Sequence, residues 1–362
     1  MTNDWAIAVG IGKYPDLGFE RLNGPELDAR EFHSWVTSKT GGAVPKKQAK
    51  LIVSPAQMPK SVINARPAAD EVQEFFEHLD TVAQRRASKM AGRRLYLYFS
   101  GHGFAPEQAE VGLLMANAAS NRLKHHIPGK AWANLFFRSG YFEEVLLFMD
   151  CCRTNLPYSI PNPPSFTASD NPQAIQNGRR LFVFATKWGA ETRERVFNGK
   201  QTRGIFTVAL LDGLRGRACA PGTNEVTAMS LRSYFHNSMR TYLPPLALKD
   251  PSISEEPDIE PSQSASADFT IVKLAKPPTL AAGITTAGST VRVLFSDNAR
   301  GKKISILNGA LTQEMVSSIA KPPHWKTLLP RGLYKAELQG SSRLFEVKGT
   351  TKEVIDVDFR QD

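Results

Sequence analysis

Two side chains in this sequence have the types and the setting for covalent chemistry: His102, in Tyr98-Phe99-Ser100-Gly101-His102-Gly103, and Cys152, in Met149-Asp150-Cys151-Cys152-Arg153. A thiol and an imidazole held together make a nucleophile and its acid/base, the ring taking the thiol proton and later protonating the leaving group. Each residue closes a short apolar run, Arg93 to Gly103 and Glu144 to Arg153. Runs of that kind read as buried parallel strands that deliver polar side chains to the rim of a sheet. The glycines on either side of His102 leave its ring approachable from both sides.

The rest of the chain must supply the sheet that holds those rims together. Trp5 to Ile11 reads as a first buried strand and Lys50 to Ser54 as a second. Pro25 to Val36 reads as a helix with proline in its first turn and the acids Glu26 and Asp28 near its N-terminus, which sets Asp28 just beyond strand one. Ala69 to Ala87 is an amphipathic helix, Val111 to Ala118 an edge strand, and Trp132 to Phe137 helical. Strands that are nearly all apolar and alternate with helices predict an α/β fold with a mostly parallel sheet covered on both faces. Active residues on such a sheet belong at the carboxyl ends of its strands.

Farther on, Arg153 to Arg180 is rich in proline and reads as a long exposed loop, Leu181 to Thr186 as a strand, and Glu191 to Arg203 as a charged loop. Gly204 to Gly216 and Met229 to Leu243 read as helices, Asp250 to Ala267 as a linker, and Asp268 to Leu274 as one more strand of the same sheet. Beyond Lys276 the pattern alternates between apolar and polar, with a single helix-like stretch at Gln313 to Ala320. Two domains are expected: residues 1–276, and residues 277–362 as a small all-β, sandwich-like domain with a binding or scaffolding role.

Composition narrows the classes. With 362 residues, 41% of them hydrophobic and 22% charged, the chain is an ordinary globular one. No apolar run approaches the roughly 20 residues that span a bilayer. The net charge of +10 invites an anionic partner. The densest basic stretch, Arg85 to Arg94, lacks interleaved aromatics, reads as a solvated surface, and gives no reason to expect nucleic acid. Gly10-Ile11-Gly12-Lys13-Tyr14 lacks the spacing and hydroxyl of a phosphate loop. Three cysteines make no disulfide framework, and Met1 to Trp5 shows no export pattern, so a cytoplasmic setting is expected.

Taken together, YFSGHG, MDCCR, the early GPELDA, and the late RRLFVFAT and GIFTVALLDGLRG resemble the caspase and metacaspase superfamily of cysteine peptidases, in particular its prokaryotic metacaspase-like (orthocaspase-like) members. The resemblance covers about residues 5–274, and His102 stands fifty positions upstream of Cys152, the spacing seen in caspases. It implies a caspase-haemoglobinase α/β sandwich. It implies His102 as general acid/base, Cys152 as nucleophile with Cys151 beneath it, and the backbone N–H groups of Gly103 and Cys152 as donors to the oxyanion. The family's acidic specificity pocket maps to Asp28, Ser100 and Asp150. Metacaspases often have cysteine where this chain has Pro25.

That pocket predicts cleavage of protein substrates after basic residues. Arginine should be favoured over lysine because its planar fork engages two acids. Regulation by a partner or protease, or by self-cleavage at Arg153, Arg179, Arg180, Arg193, Arg195, Lys200 or Arg203, is expected, those residues reading as exposed loops. The chemistry needs no metal or cofactor; some members of the superfamily require calcium, and no oxygen-rich calcium loop is visible. The competing reading is a catalytically silent caspase-like scaffold or partner-binding protein.

Overall fold

The structure, a computed structural model, describes residues 3–15, 21–105, 110–119, 122, 124–153, 162–197, 199, 201–219, 223–243, 256–261, 268–275, 289–308, 314–329, 332–347 and 354–360. Contacts divide the chain into two compact units, Met1–Pro278 and Thr279–Asp362.

The larger unit begins with β1 (Trp5–Gly10), α1 (Pro25–Thr37), β2 (Ala49–Val53), α2 (Ala69–Gln84) and β3 (Gly92–Ser100). Next come β4 (Gly103–Phe104), β5 (Gly112–Leu114), β6 (His126–Pro128), α3 (Gly129–Arg138), β7 (Phe142–Asp150), α4 (Pro172–Asn177) and β8 (Arg179–Phe184). It ends with β9 (Glu194–Phe197), β10 (Gln201–Gly204), α5 (Ile205–Asp212), β11 (Glu225–Thr227), α6 (Ala228–Ser238), β12 (Asp258–Pro261) and β13 (Thr270–Lys273).

Six strands form the central sheet in the order β12-β8-β7-β3-β1-β2, all parallel except β12. Period-two alternation splits their side chains between two cores. Ile7, Val9, Leu97, Phe99, Leu147 and Met149 pack against Val72 and Phe76 of α2 and Trp132 and Phe136 of α3. Ala8, Tyr98 and Phe148 pack on the opposite face against Phe32 of α1, Phe206 of α5 and Phe235 of α6. Register aligns the strand ends, with Gly10 opposite Ser100 and Ser100 opposite Asp150. That row is the floor of the site.

Several expected elements fall elsewhere. Thr270–Lys273 does not join the central sheet; it pairs with β11 in a two-stranded sheet of its own. The sixth central strand comes instead from the expected linker, whose residues 250–255 and 262–267 lie outside the described set. Asp258-Ile259-Glu260-Pro261 is short, acidic and ends in proline, features an edge strand tolerates and which hide it in a sequence. Val111 to Ala118 yields only β5, the middle of a small sheet with β4 and β6. The charged loop Glu191 to Arg203 supplies most of the β9–β10 hairpin, whose strands, among the described residues, pair with each other; Phe197 packs against the second core, but the charges around it hide that pattern in the sequence.

The smaller unit holds β14 (Ser289–Phe295), β15 (Lys303–Asn308), β16 (Glu314–Ile319), β17 (His324–Leu329), β18 (Gly332–Leu338), β19 (Ser341–Val347) and β20 (Val354–Phe359). Sheets β17-β14-β20 and β16-β15-β18-β19 share a core that includes Val293, Ile306, Ala336 and Phe359. The helix expected at Gln313 to Ala320 is the strand β16, Gln313 itself lying outside the described residues. Val316 and Ala320 are four apart, a spacing that suits one face of a helix and one face of a strand alike.

Candidate active site

Because β3 and β7 run side by side with Ser100 opposite Asp150, His102 and Cys152 leave neighbouring strands at the same level, each two residues past the paired rung. Alternation sends Cys151 into the core beside Phe99 and Met149, where it is fully buried, and leaves Cys152 partly accessible. The structure therefore separates the two sulfurs by face. Burial pushes the Cys151 thiol well above its usual range. Burial also raises the Cys152 thiol, opposed by a backbone hydrogen bond at Thr192. In this state Cys152 is protonated at neutral pH and needs a base to become a nucleophile. Its Sγ lies 4.0 Å from the Thr192 carbonyl oxygen.

Gly103 brings the His102 segment against the cysteines. A Cβ on Gly103 would lie 2.7 Å from Cys151 Sγ and 2.9 Å from the Cys152 carbonyl oxygen, so only glycine fits that approach. His102 itself is half-buried. Tyr14 fixes its backbone: the Tyr14 hydroxyl accepts from the His102 N–H at 3.0 Å and donates to the Leu114 carbonyl at 3.2 Å. The two rings stand 4.9 Å apart between centroids, tilted by 57°. Tyr14 was not among the expected site residues. Its signal is its place in the turn leaving β1, at the carboxyl edge of the sheet.

The acids expected to form a pocket do converge. Asp28 comes from the first turn of α1 and Asp150 from the end of β7, and both are buried. A Cβ on Gly204 would lie 2.2 Å from Asp150 Oδ2 and 3.1 Å from Asp28 Oδ2, so both carboxylates close on one stretch of backbone. The Gly204 N–H donates to Asp28 Oδ2 at 2.8 Å. Thr207 and Thr192 hydroxyls donate to Asp150 at 2.6 and 3.1 Å. Ser100 is buried on the rung beside Asp150. Burial pushes Asp28 up to about 7 against the pull of Arg203, with Asp150 adding to the rise. Burial likewise pushes Asp150 up to about 6, against the hydrogen bonds of Thr207 and Thr192.

The hairpin adds two groups that the sequence pattern did not single out for the pocket. Glu194 accepts from the Gly24 N–H at 2.7 Å and the Asn23 N–H at 3.0 Å, placing a third carboxylate beside Asp28. Arg203 donates from Nε to Asp28 Oδ1. Thr207 too was not among the expected site residues, although it lies in the Gly204-Ile205-Phe206-Thr207 stretch that carries the resemblance; Glu194 was masked by the charges around it.

Arg153 departs from its expected place in an exposed loop. It is fully buried, with its guanidinium 4.6 Å over the Phe184 ring and bonds of 3.3 Å to the Thr186 carbonyl and 2.5 Å to Asp258. Its N–H donates to the Ala190 carbonyl at 3.0 Å, so it fastens the segment after β8 beside Cys152. Arg179 and Arg180 open β8, and Arg179 pairs with Glu144, so neither is a loop residue. Arg203 is a strand residue whose side chain is 11% exposed. Arg193 is exposed before β9, Arg195 lies in β9, and Lys200 falls outside the described residues.

Among the described residues no group of three or more His, Cys, Asp or Glu is placed to hold a metal ion, and no helix is long and apolar enough to cross a membrane. A family model described as the caspase domain matches residues 3–257. A protein of a Desulfuromonadales bacterium named as a probable protease is 30% identical over 233 residues, or 59% of this chain. The aligned part spans 26% of that relative's length. Among solved structures, caspase-1 of Spodoptera frugiperda is similar over 76% of this chain and 92% of its own, at 14% identity and a TM-score of 0.44. The structure titled pro-sf-caspase-1 is similar over 72% and 92%, at 13% identity and a TM-score of 0.41.

Proposed function

The chain belongs to the caspase domain family of peptidases, and on that premise we propose that it is a cysteine endopeptidase that uses Cys152 and His102 to cut proteins after arginine in preference to lysine. His102 takes the Cys152 proton as Sγ attacks the scissile carbonyl carbon. The N–H groups of Gly103 and Cys152 hold the oxyanion, and His102 passes the proton to the departing amine. Water, deprotonated by His102, then attacks the thioester, and the carboxylate product leaves as Cys152 regains its proton. This sequence gives the raised Cys152 thiol the base it requires.

What carries the specificity is the convergence of Asp28 and Asp150 on Gly204, on the strand-end row from which Cys152 emerges. A substrate aspartate brought there would meet like charge at a cost of several kcal/mol, whereas a guanidinium would be paired on two sides. The test is hydrolysis of matched peptides carrying Arg, Lys or Asp before the scissile bond, together with labelling by an arginyl electrophile. Cleavage after arginine, about tenfold weaker cleavage after lysine, and labelling at Cys152 are expected, given the bidentate advantage of the guanidinium. Efficient cleavage after aspartate would overturn the pocket assignment, and a Cys152 that resists labelling would favour the scaffold reading.

A further inference from the structure

We propose that Arg203 is a built-in occupant of the acidic pocket, and that an arginyl substrate binds by displacing it. The proposal rests on reading Asp28 and Asp150 as the recognition pocket. Its basis is where the chain's own guanidinium sits. Arg203 donates from Nε to Asp28 Oδ1, while the very next residue, Gly204, donates its N–H to Asp28 Oδ2. Asp28 is therefore engaged on both oxygens by one dipeptide. Gly204 also lies against Asp150, so the dipeptide fills the space between the two carboxylates. This is the space in which a substrate guanidinium would be recognised.

Arg203 is poorly satisfied there. Its side chain is 11% exposed, yet Nη2 is buried without a hydrogen-bond partner among the described residues. A guanidinium is suited to carboxylates through a two-pronged fork, and Arg203 presents Asp28 with Nε while one of its terminal nitrogens goes unused. An incoming arginine that engages both acids would be better bonded than the resident. Displacement replaces one cation by another, so the pocket keeps its charge balance throughout.

The Arg203 side chain can move without the hairpin that carries it. β9 and β10 pair only with each other, in four-residue strands, and take no place in the central sheet. The hairpin is also held by the two residues paired opposite Arg203 and Gly204: Arg195 donates to the Tyr242 carbonyl at 2.9 Å, and Glu194 accepts from the Asn23 and Gly24 N–H groups. Those anchors do not involve Arg203. The side chain can leave Asp28 while the hairpin stays docked.

An internal competitor raises the apparent dissociation constant of any external ligand for the same place by the reciprocal of the fraction of molecules in which it leaves that place open, without touching the chemical step. A purely structural ion pair would behave in the opposite way, since its loss would loosen the pocket. The experiment uses benzamidine, a small amidinium probe, titrated calorimetrically into the full chain carrying Cys152→Ala, with and without Arg203→Gln. The proposal expects benzamidine to bind at least tenfold more tightly when Arg203 is replaced, and expects adding Asp28→Asn to cancel the gain. Equal or weaker binding by a folded Arg203→Gln protein would overturn it. Should that variant fail to fold, Arg203→Lys keeps a cation for Asp28 but no fork; it should bind benzamidine several-fold more tightly, and unchanged binding would overturn the proposal. Tighter benzamidine binding in a chain that cuts no arginyl peptide would support this proposal and sink the peptidase reading. Unchanged benzamidine binding in a chain that does cut them would do the reverse.

Discussion

The two ends of the central sheet handle buried charge in opposite ways. At the amino ends of β3, β7 and β8, Glu144 is all but inaccessible and is met by three guanidinia: Arg93 at 3.0 Å, Arg94 at 2.5 Å and Arg179 at 2.5 Å. Arg93 also pairs with Asp4, and Arg94 continues to the Tyr96 hydroxyl at 2.9 Å and the Ile271 and Thr270 carbonyls at 2.6 Å. At the carboxyl ends the ratio is inverted. Asp28, Asp150 and Glu194 gather around the Arg203-Gly204 dipeptide, with Arg203 paired to Asp28, and the remaining bonds to them come from backbone N–H groups and threonine hydroxyls. Hydrogen bonds from neutral groups satisfy a carboxylate without cancelling its charge, so above the raised pKa values of Asp28 and Asp150 these acids carry more charge than Arg203 neutralises. One end uses its charges to tie strands together; the other gathers the acids that we propose recognise a cationic side chain.

The comparison breaks most sharply at sulfur. Cys152→Ala is expected to lower peptidase turnover by about a thousandfold or more, since it removes the atom proposed to attack, as loss of a nucleophile does elsewhere. Cys151→Ala should keep turnover within about tenfold and cost about 1–2 kcal/mol of stability, as a small buried side chain does. Turnover of an arginyl peptide and chemical unfolding of both variants would check this. Equal loss of turnover in two folded variants would show that the alternation of β7 does not separate their roles.

Exchanging one acid at each end should then give two different phenotypes. Asp150→Asn removes a pocket charge but keeps a polar group for Thr207 and Thr192, and should lower kcat/KM for arginyl peptides by about a hundredfold, as loss of a specific charge pair does. Glu144→Gln leaves three guanidinia crowded around a neutral group. It should lower unfolding stability by about 3–5 kcal/mol, the usual result of removing one partner of a buried ionic cluster, and leave the preference for arginine over lysine unchanged. A Glu144→Gln protein with altered selectivity would erase the distinction between the two ends.

The reach of the sequence follows the same division. The strands that place His102, Cys152 and Asp150 were readable because they are buried on both faces and so appear as unbroken apolar runs, each followed by polar residues. Asp28 was readable from the proline and acids that start α1. What escaped were elements whose neighbours are polar or distant in the chain: β12, an acidic edge strand; the β9–β10 hairpin, two four-residue strands set among charged residues; and β16, where a four-residue spacing fits helix and strand equally. Tyr14, Glu194 and Arg203 escaped for a related reason. Their roles depend on contacts between segments dozens of residues or more apart, as in the bonds from Tyr14 to His102 and from Arg203 to Asp28, and no local periodicity encodes such a meeting.

The smallest expected effect concerns protons at the acidic end. Asp28 is raised to about 7 and Asp150 to about 6, in each case chiefly by burial. Asp28 faces Arg203, Asp150 and Glu194, and Asp150 faces Thr207 and Thr192, so the groups that set these values are themselves the pocket. For a carboxyl group with a raised pKa the charged form is present above that value and is lost as pH falls through it. A guanidinium ligand needs the charged form. Its binding should therefore weaken as pH falls from 8 through 7 and 6, by up to about tenfold for each pH unit below the value of a single controlling acid. Cys152 would blur this in a rate assay, because its own raised thiol also loses reactivity toward acid. Benzamidine binding to the Cys152→Ala protein avoids the problem. In that protein Arg203 still competes, and it needs the same carboxylates, so protonation weakens ligand and competitor together and the profile should be shallow, about threefold between pH 8 and 6. With Arg203→Gln added the competitor is gone, and the full slope, about tenfold or more across the same range, should emerge. Binding that strengthened toward acid, or profiles that were flat in both proteins, would mean that Asp28 and Asp150 do not carry the charge that recognises the ligand.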